Sequence, residues 1–283
     1  MTLNALSQKT GPIGVFDSGY GGLTVLRELR RQLPQYDYLY LGDNARAPYG
    51  TRSFDVVYQY TRQAVAYLMQ QGCQLVILAC NTASAKALRT IQQRDLPKWD
   101  SSRRVLGVIR PTAEIVGNLT KTNHVGILAT KGTILSKSYE IEIRKLHPSL
   151  KVTGQACPLW ATLVENFETD SPGTEYFVGK DLHQLLDRDP LIDTLILGCT
   201  HYPLLLPVLE KLTPRGIRLV NQGQYVSISL ENYLKRHPEM AERCTKQGAC
   251  RFLTTESPAV FDQTASHFMG ADIQSCHIDL KTD

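Results

Sequence analysis

Nowhere do the 283 residues approach the ~18 consecutive apolar positions of a membrane-crossing helix. Residues 1–11 are polar and lack the apolar core of a secretion signal, so a cytoplasmic protein is expected by elimination. A dominant charge of one sign is missing as well. The 31 Lys and Arg against 27 Asp and Glu leave +4, which is no nucleic-acid footprint. The pairs Arg30-Arg31 and Arg103-Arg104 read as solvated surface. No C-x-x-C occurs, and seven cysteines form an odd set in a chain too long to need disulfide staples, so reduced thiols are expected. Cys199-Thr200-His201 is a C-x-H with no second ligand pair at zinc spacing, and no metal is expected there.

Hydrophobic residues make up 42% of the chain and charged residues 20%, as in ordinary globular proteins and unlike disordered ones. Short apolar runs at 12–16, 38–41, 74–79 and 125–128 alternate with helical periodicity at 24–33, 54–71 and from about 134. Strands apolar on both faces, separated by helices, imply parallel sheets covered on both sides. The pattern also repeats. Gly14-Val15-Phe16 returns as Gly126-Ile127-Leu128, and 75–80 returns as 194–199, at offsets of 112 and 119 residues. Cysteine closes the second strand both times. The fold class expected is α/β, with two similar parallel-sheet domains. Residues 95–104 are polar, contain Pro97 and read as a linker. Residues 11–100 plus 208–283 are expected to form the first domain, the tail returning to it, and 101–207 the second.

In open parallel sheets, ligands bind beyond the carboxyl ends of the strands. The residues there are Asp17-Ser18, Asp43, Cys80-Asn81-Thr82 and Cys199-Thr200-His201. Ser18, Asn81 and Thr200 would also serve as helix N-caps, which is the plain alternative. Each of Cys80 and Cys199 lies between a buried strand and a helix start, where exposed backbone N–H groups should lower a thiol's pKa. The other five cysteines read as core or incidental thiols. If the halves face each other about a pseudo-twofold axis, Cys80 and Cys199 flank one ligand in the cleft between them. That arrangement suits inversion of a carbon centre, with one thiolate removing a proton and the opposite thiol returning one. Asp17 and His201 are the groups placed to tune the thiols. The run Gly19-Tyr20-Gly21-Gly22, with Asp43 closing the next strand, invites a nucleotide reading. Thr24 stands where the third glycine of G-x-G-x-x-G belongs, and no phosphate-loop lysine follows.

Four stretches carry a resemblance: 14–25 (GVFDSGYGGLTV), 42–50 (GDNARAPYG), 79–85 (ACNTASA) and 197–204 (LGCTHYPL), with Gly132-Thr133-Ile134 and Phe252-Leu253-Thr254-Thr255 in support. Together they resemble the glutamate racemases, over residues 11 to about 270. The resemblance implies Cys80 and Cys199 as acid/base residues, assisted by Asp17 and His201. It implies substrate binding by Asp17, Ser18, Tyr49, Gly50, Asn81, Thr82, Thr200 and His201. It also implies L-glutamate and D-glutamate as substrates, D-glutamate supplied for peptidoglycan, no pyridoxal phosphate, no metal, and a homodimer. Arg110, Trp160-Ala161-Thr162 and Asn221-Gln222-Gly223 depart from the usual pattern. An amino-acid racemase acting on aspartate, a cysteine hydrolase using Cys199 and His201, and a non-catalytic binding protein are the rival readings.

Overall fold

A computed structural model of the protein describes residues 10–280. In chain order its strands are β1 (Ile13–Asp17), β2 (Tyr38–Gly42), β3 (Leu75–Leu78), β4 (Arg104–Gly107), β5 (His124–Ala129), β6 (Lys151–Ala156), β7 (Thr194–Gly198), β8 (Arg218–Val220), β9 (Cys250–Thr254) and β10 (Ser275–His277). They form a six-stranded sheet, β10-β9-β2-β1-β3-β4, and a four-stranded sheet, β6-β5-β7-β8. Every strand pairing is parallel. All residues of β1, β3 and β7 are buried, as central strands covered by helices on both faces must be.

Sheet membership corrects the expected domain boundaries. β4 was expected in the second domain but pairs with β3 in the larger sheet. β8 was expected in the returning tail but pairs with β7 in the smaller one. Both are short edge strands with part of their length exposed, so neither has a strong apolar run. The first half of the segment read as a linker is helical. Pro97 lies in the first turn of the helix Leu96–Trp99, where a missing N–H breaks no hydrogen bond. With these two strands reassigned, the repeat is fuller than the sequence suggested. The orders β2-β1-β3-β4 and β6-β5-β7-β8 are the same. Beyond them, β9 and β10 extend the first sheet past β2, and the helix Gln222–Arg236 packs against the helix Gly22–Gln32.

That first helix shows the local logic. Leu23, Leu26 and Leu29 fall at three-residue spacing and are fully buried, while Arg30 and Arg31 end it near its negative pole. Each such leucine contributes about 1.5–3 kcal/mol. One apolar cluster runs from Leu23 and Leu26 through Leu230 to Leu197, Tyr202 and Leu209, so the two halves share a core. No helix among the described residues is long and apolar enough to cross a membrane.

Candidate active site between the two sheets

The carboxyl ends of the two sheets meet. Thr200 Oγ1, after β7, donates to Asp17 Oδ2, at the end of β1, over 3.5 Å. Thr24 Oγ1 donates to the Thr200 carbonyl at 2.9 Å, and Thr82 and Thr130 hydroxyls lie 3.0 Å apart across the same boundary. The strand-end residues singled out in the sequence are therefore gathered into one place. None of Ser18, Asn81 and Thr200 caps a helix. The caps are Gly21, Cys80 and His201, which removes the plain explanation for those three side chains.

Cys80 Sγ accepts from the Ala83 N–H at 3.4 Å and lies 3.4 Å from Ser18 Oγ. The helix Asn81–Lys86 does not lower this thiol as expected. Burial, reinforced by the charge of Asp17, pushes it up to about 12 against the opposing hydrogen bonds. Asp17 is itself fully buried, and burial raises its carboxyl above the usual range even though His201 and the N–H groups of Gly19 and Gly22 pull it down. A negative charge on Cys199 would push Cys80 up further.

Cys199 has a different partner. His201 Nδ1 lies 3.7 Å from Cys199 Sγ, and His201 Nε2 lies 2.8 Å from Glu165 Oε1. Burial alone would lower the imidazole. The hydrogen bonds to Cys199 and Glu165 outweigh it and hold His201 well above its ordinary value. Side chains two positions apart diverge on a helix. The chain here is a turn that precedes the short helix Tyr202–Leu205, and the two side chains do meet. Glu165 was not singled out in the sequence. It ends the six-residue helix Trp160–Glu165, with no motif spacing to mark it.

Asn81 belongs to a closed triangle. Tyr139 Oη donates to Asn81 Oδ1 at 2.7 Å, Asn81 Nδ2 donates to Gln222 Oε1 at 2.8 Å, and Gln222 Nε2 donates to the Tyr139 hydroxyl. This leaves one Asn81 N–H for other use, and it gives the unusual Gln222 a role. The Tyr49 ring is buried and its hydroxyl is spent on Asp43, which also takes Arg46 Nε and Thr255 Oγ1. The Tyr49 hydroxyl proton is therefore committed within the fold.

The glycine run has a steric cause. A Cβ on Gly21 would lie 2.2 Å from Thr200 Oγ1 and 2.5 Å from His201 Nδ1, and one on Gly22 would lie 2.5 Å from the Asp17 Cβ. Gly21 lets the second half close on the first, and Gly22 lets the helix start pack against the end of β1 within the first half; a phosphate cradle would require neither. Among the described residues no group of three His, Cys, Asp or Glu side chains is placed to hold a metal ion. A cavity of about 550 Å³ opens elsewhere, between β4 and the helices Ile109–Val116, Ser138–Leu146 and Gln222–Arg236, and no strand-end residue named above lines it.

Comparison with known proteins agrees with this geometry. Residues 13–225 match the family described as Asp/Glu/hydantoin racemase. A glutamate racemase of Streptococcus suis (strain 05ZYH33) is 39% identical over 270 residues, covering 95% of this chain and 98% of that protein. The crystal structure of the glutamate racemase isoform RacE1 from Bacillus anthracis superposes with a TM-score of 0.87 at 37% identity, covering 96% of this chain and 98% of the other. The glutamate racemase of Francisella tularensis, solved in complex with D-glutamate, gives 0.85 at 32% identity over 96% and 98%.

Proposed function

The chain belongs to the Asp/Glu/hydantoin racemase family, and from that premise we propose that it interconverts L-glutamate and D-glutamate without a cofactor, using Cys80 and Cys199 as the two acid/base groups. One observation carries the reading. The two thiols follow β3 and β7, the equivalent strands of two sheets with the same order, and their neighbours Asp17 and Thr200 are hydrogen-bonded to each other where the two sheets meet.

Inversion of the α-carbon needs a base on one face and an acid on the other. The thiolate takes the α-proton, the bonding pair stays on the carbon, and the opposite thiol delivers its proton to the other face. The thiols thereby exchange protonation states, and the reverse reaction starts from that exchanged form. His201, hydrogen-bonded to Glu165, supplies a counter-charge beside the Cys199 sulfur when protonated. Asp17 stands beside Cys80, where Ser18 offers the sulfur a hydrogen bond. The Thr82 hydroxyl, the remaining Asn81 N–H and the backbone at Tyr49-Gly50 are the donors for two carboxylates, joined by the Ser18 and Thr200 hydroxyls once these turn from Cys80 and Asp17 to the substrate. Donors fixed in advance stabilise charge developing at the α-carbon without reorganisation. In this reading the enzyme is a cytoplasmic homodimer that supplies D-glutamate for peptidoglycan.

The test is loss of optical rotation from L-glutamate and from L-aspartate, with protein treated to remove pyridoxal phosphate and metals. Faster turnover of glutamate is expected. Faster turnover of aspartate would reassign the substrate, and inactivity restored by either cofactor would end the two-thiol reading. The Cys199–His201 contact also fits a cysteine hydrolase. That reading leaves Cys80 and Asp17 unused, and a trapped acyl-enzyme would be needed to support it.

A further inference from the structure

Both thiols are nearly closed off, Cys80 at 6% exposure and Cys199 at 7%. At one point of the rim the closure is backbone to backbone, where Gly132 N–H, from the second half, donates to the Gly50 carbonyl at 2.9 Å. Gly50 belongs to the loop 47–53, which precedes the helix Phe54–Gln70. That loop is tied to the first half by Lys86, the last residue of the helix that begins beside Cys80.

Lys86 is an unusual residue to find there. It is about nine-tenths buried, and burial pulls its pKa down. No carboxylate pairs with it among the described residues. Its Nζ donates to the Arg52 carbonyl at 2.6 Å and lies 5.0 Å from the centre of the Phe54 ring. Burying an unpaired ammonium is costly, so the position has to return something for it. Gly132 presses against the same spot. A Cβ there would lie 2.7 Å from the Gly50 oxygen and 2.9 Å from Lys86 Nζ. Loop, lysine and second half therefore converge at one point.

We infer that Lys86 is a positioning residue that latches the 47–53 loop in its closed place over the substrate, by holding the Arg52 carbonyl from the helix that carries Cys80. The inference rests on the racemase reading, because Tyr49-Gly50 is the segment assigned there to the substrate. Lys86 touches no reacting atom. A loop that grips the ground state and the transition state alike changes KM and leaves kcat alone.

The experiment compares wild type with Lys86→Met, which keeps the aliphatic stem and removes donor and charge. KM for both enantiomers should rise about tenfold, as for loss of one charge-assisted hydrogen bond, with kcat within about twofold. Amide hydrogen exchange across 47–53 should quicken while the rest of the chain stays protected. Phe54→Leu, at a half-exposed position, should raise KM in the same direction by a smaller factor, and it carries the test if Lys86→Met does not fold. Unchanged KM and unchanged loop exchange would overturn the latch. So would a fall in kcat at constant KM, or a general loss of protection with no change specific to the loop. If wild type does not racemise glutamate, the proposed function fails, and loop exchange in the variants still decides the latch.

Discussion

Glu165 Oε1 lies 2.8 Å from His201 Nε2, on the side of the ring away from Cys199. The carboxylate therefore orients the imidazole and, together with the Cys199 sulfur, raises its pKa. Glu165→Gln keeps the shape and removes the charge, and the loss should cost about 10- to 100-fold in kcat/KM, the worth of one charge-assisted hydrogen bond. The fall must be equal from either enantiomer, because the equilibrium constant of a racemisation is one. Progress curves from L- and D-glutamate check this, and a wild-type rate would remove Glu165 from the mechanism.

The thiols themselves are tested by Cys80→Ser and Cys199→Ser. A serine hydroxyl is far harder to deprotonate than a thiol, and removing a positioned general base costs about 10²- to 10⁴-fold. Each variant should lose that much in both directions. If one retained near wild-type activity, a second base at that sulfur would be unnecessary and the pairing of the halves would have no catalytic meaning.

Gly21→Ala tests the closure of the halves. The new Cβ would overlap Thr200 Oγ1 and His201 Nδ1. Displacing a catalytic side chain by about 1 Å costs on the order of 10²-fold in rate. The expected result is a folded protein with kcat reduced by about that factor. A nucleotide-binding role for the glycine run would instead leave turnover intact.

Alkaline stability follows from the buried thiols. Burial pushes Cys73, Cys80 and Cys244 up to about 12 and Cys250 up to about 11, against ~8.5 in an unfolded chain. Between these values the folded state keeps protons that the unfolded state has released. Stability is therefore full below pH ~8.5 and falls as pH rises toward 11, by about 1.4 kcal/mol per pH unit for each thiol. Urea midpoints from pH 8 to 10.5 should show the decline, and Cys73→Ala should make it shallower by one thiol's share. A stability independent of pH in this range would contradict the burial of these groups.

Parts of this were legible in the sequence for a physical reason. β1, β3, β5 and β7 are central strands, apolar throughout or nearly so, and their polar termini stand out as the places where each run stops. β4 and β8 are edge strands with one exposed side, so their apolar signal was too weak to assign them to the correct sheet. Glu165 reaches His201 across 36 residues from the end of a short helix, and periodicity has nothing to say about such a contact. The raised pKa of Cys80 was missed because the helix start was visible in the sequence and the depth of burial was not. The pairing of the Tyr49 hydroxyl with Asp43 depends on a fold of the 43–49 loop that residue types do not announce.

The central claim is that two thiols act from opposite faces of one carbon. The most direct measurement is deuterium wash-in during racemisation of L-glutamate in D2O, with product and residual substrate separated and analysed early in the reaction. Two bases predict deuterium at Cα of the D-glutamate formed, while the remaining L-glutamate keeps its proton. Label appearing in the residual L-glutamate as fast as in the product, or product that retains the original proton, would mean that one base serves both faces and would contradict the account.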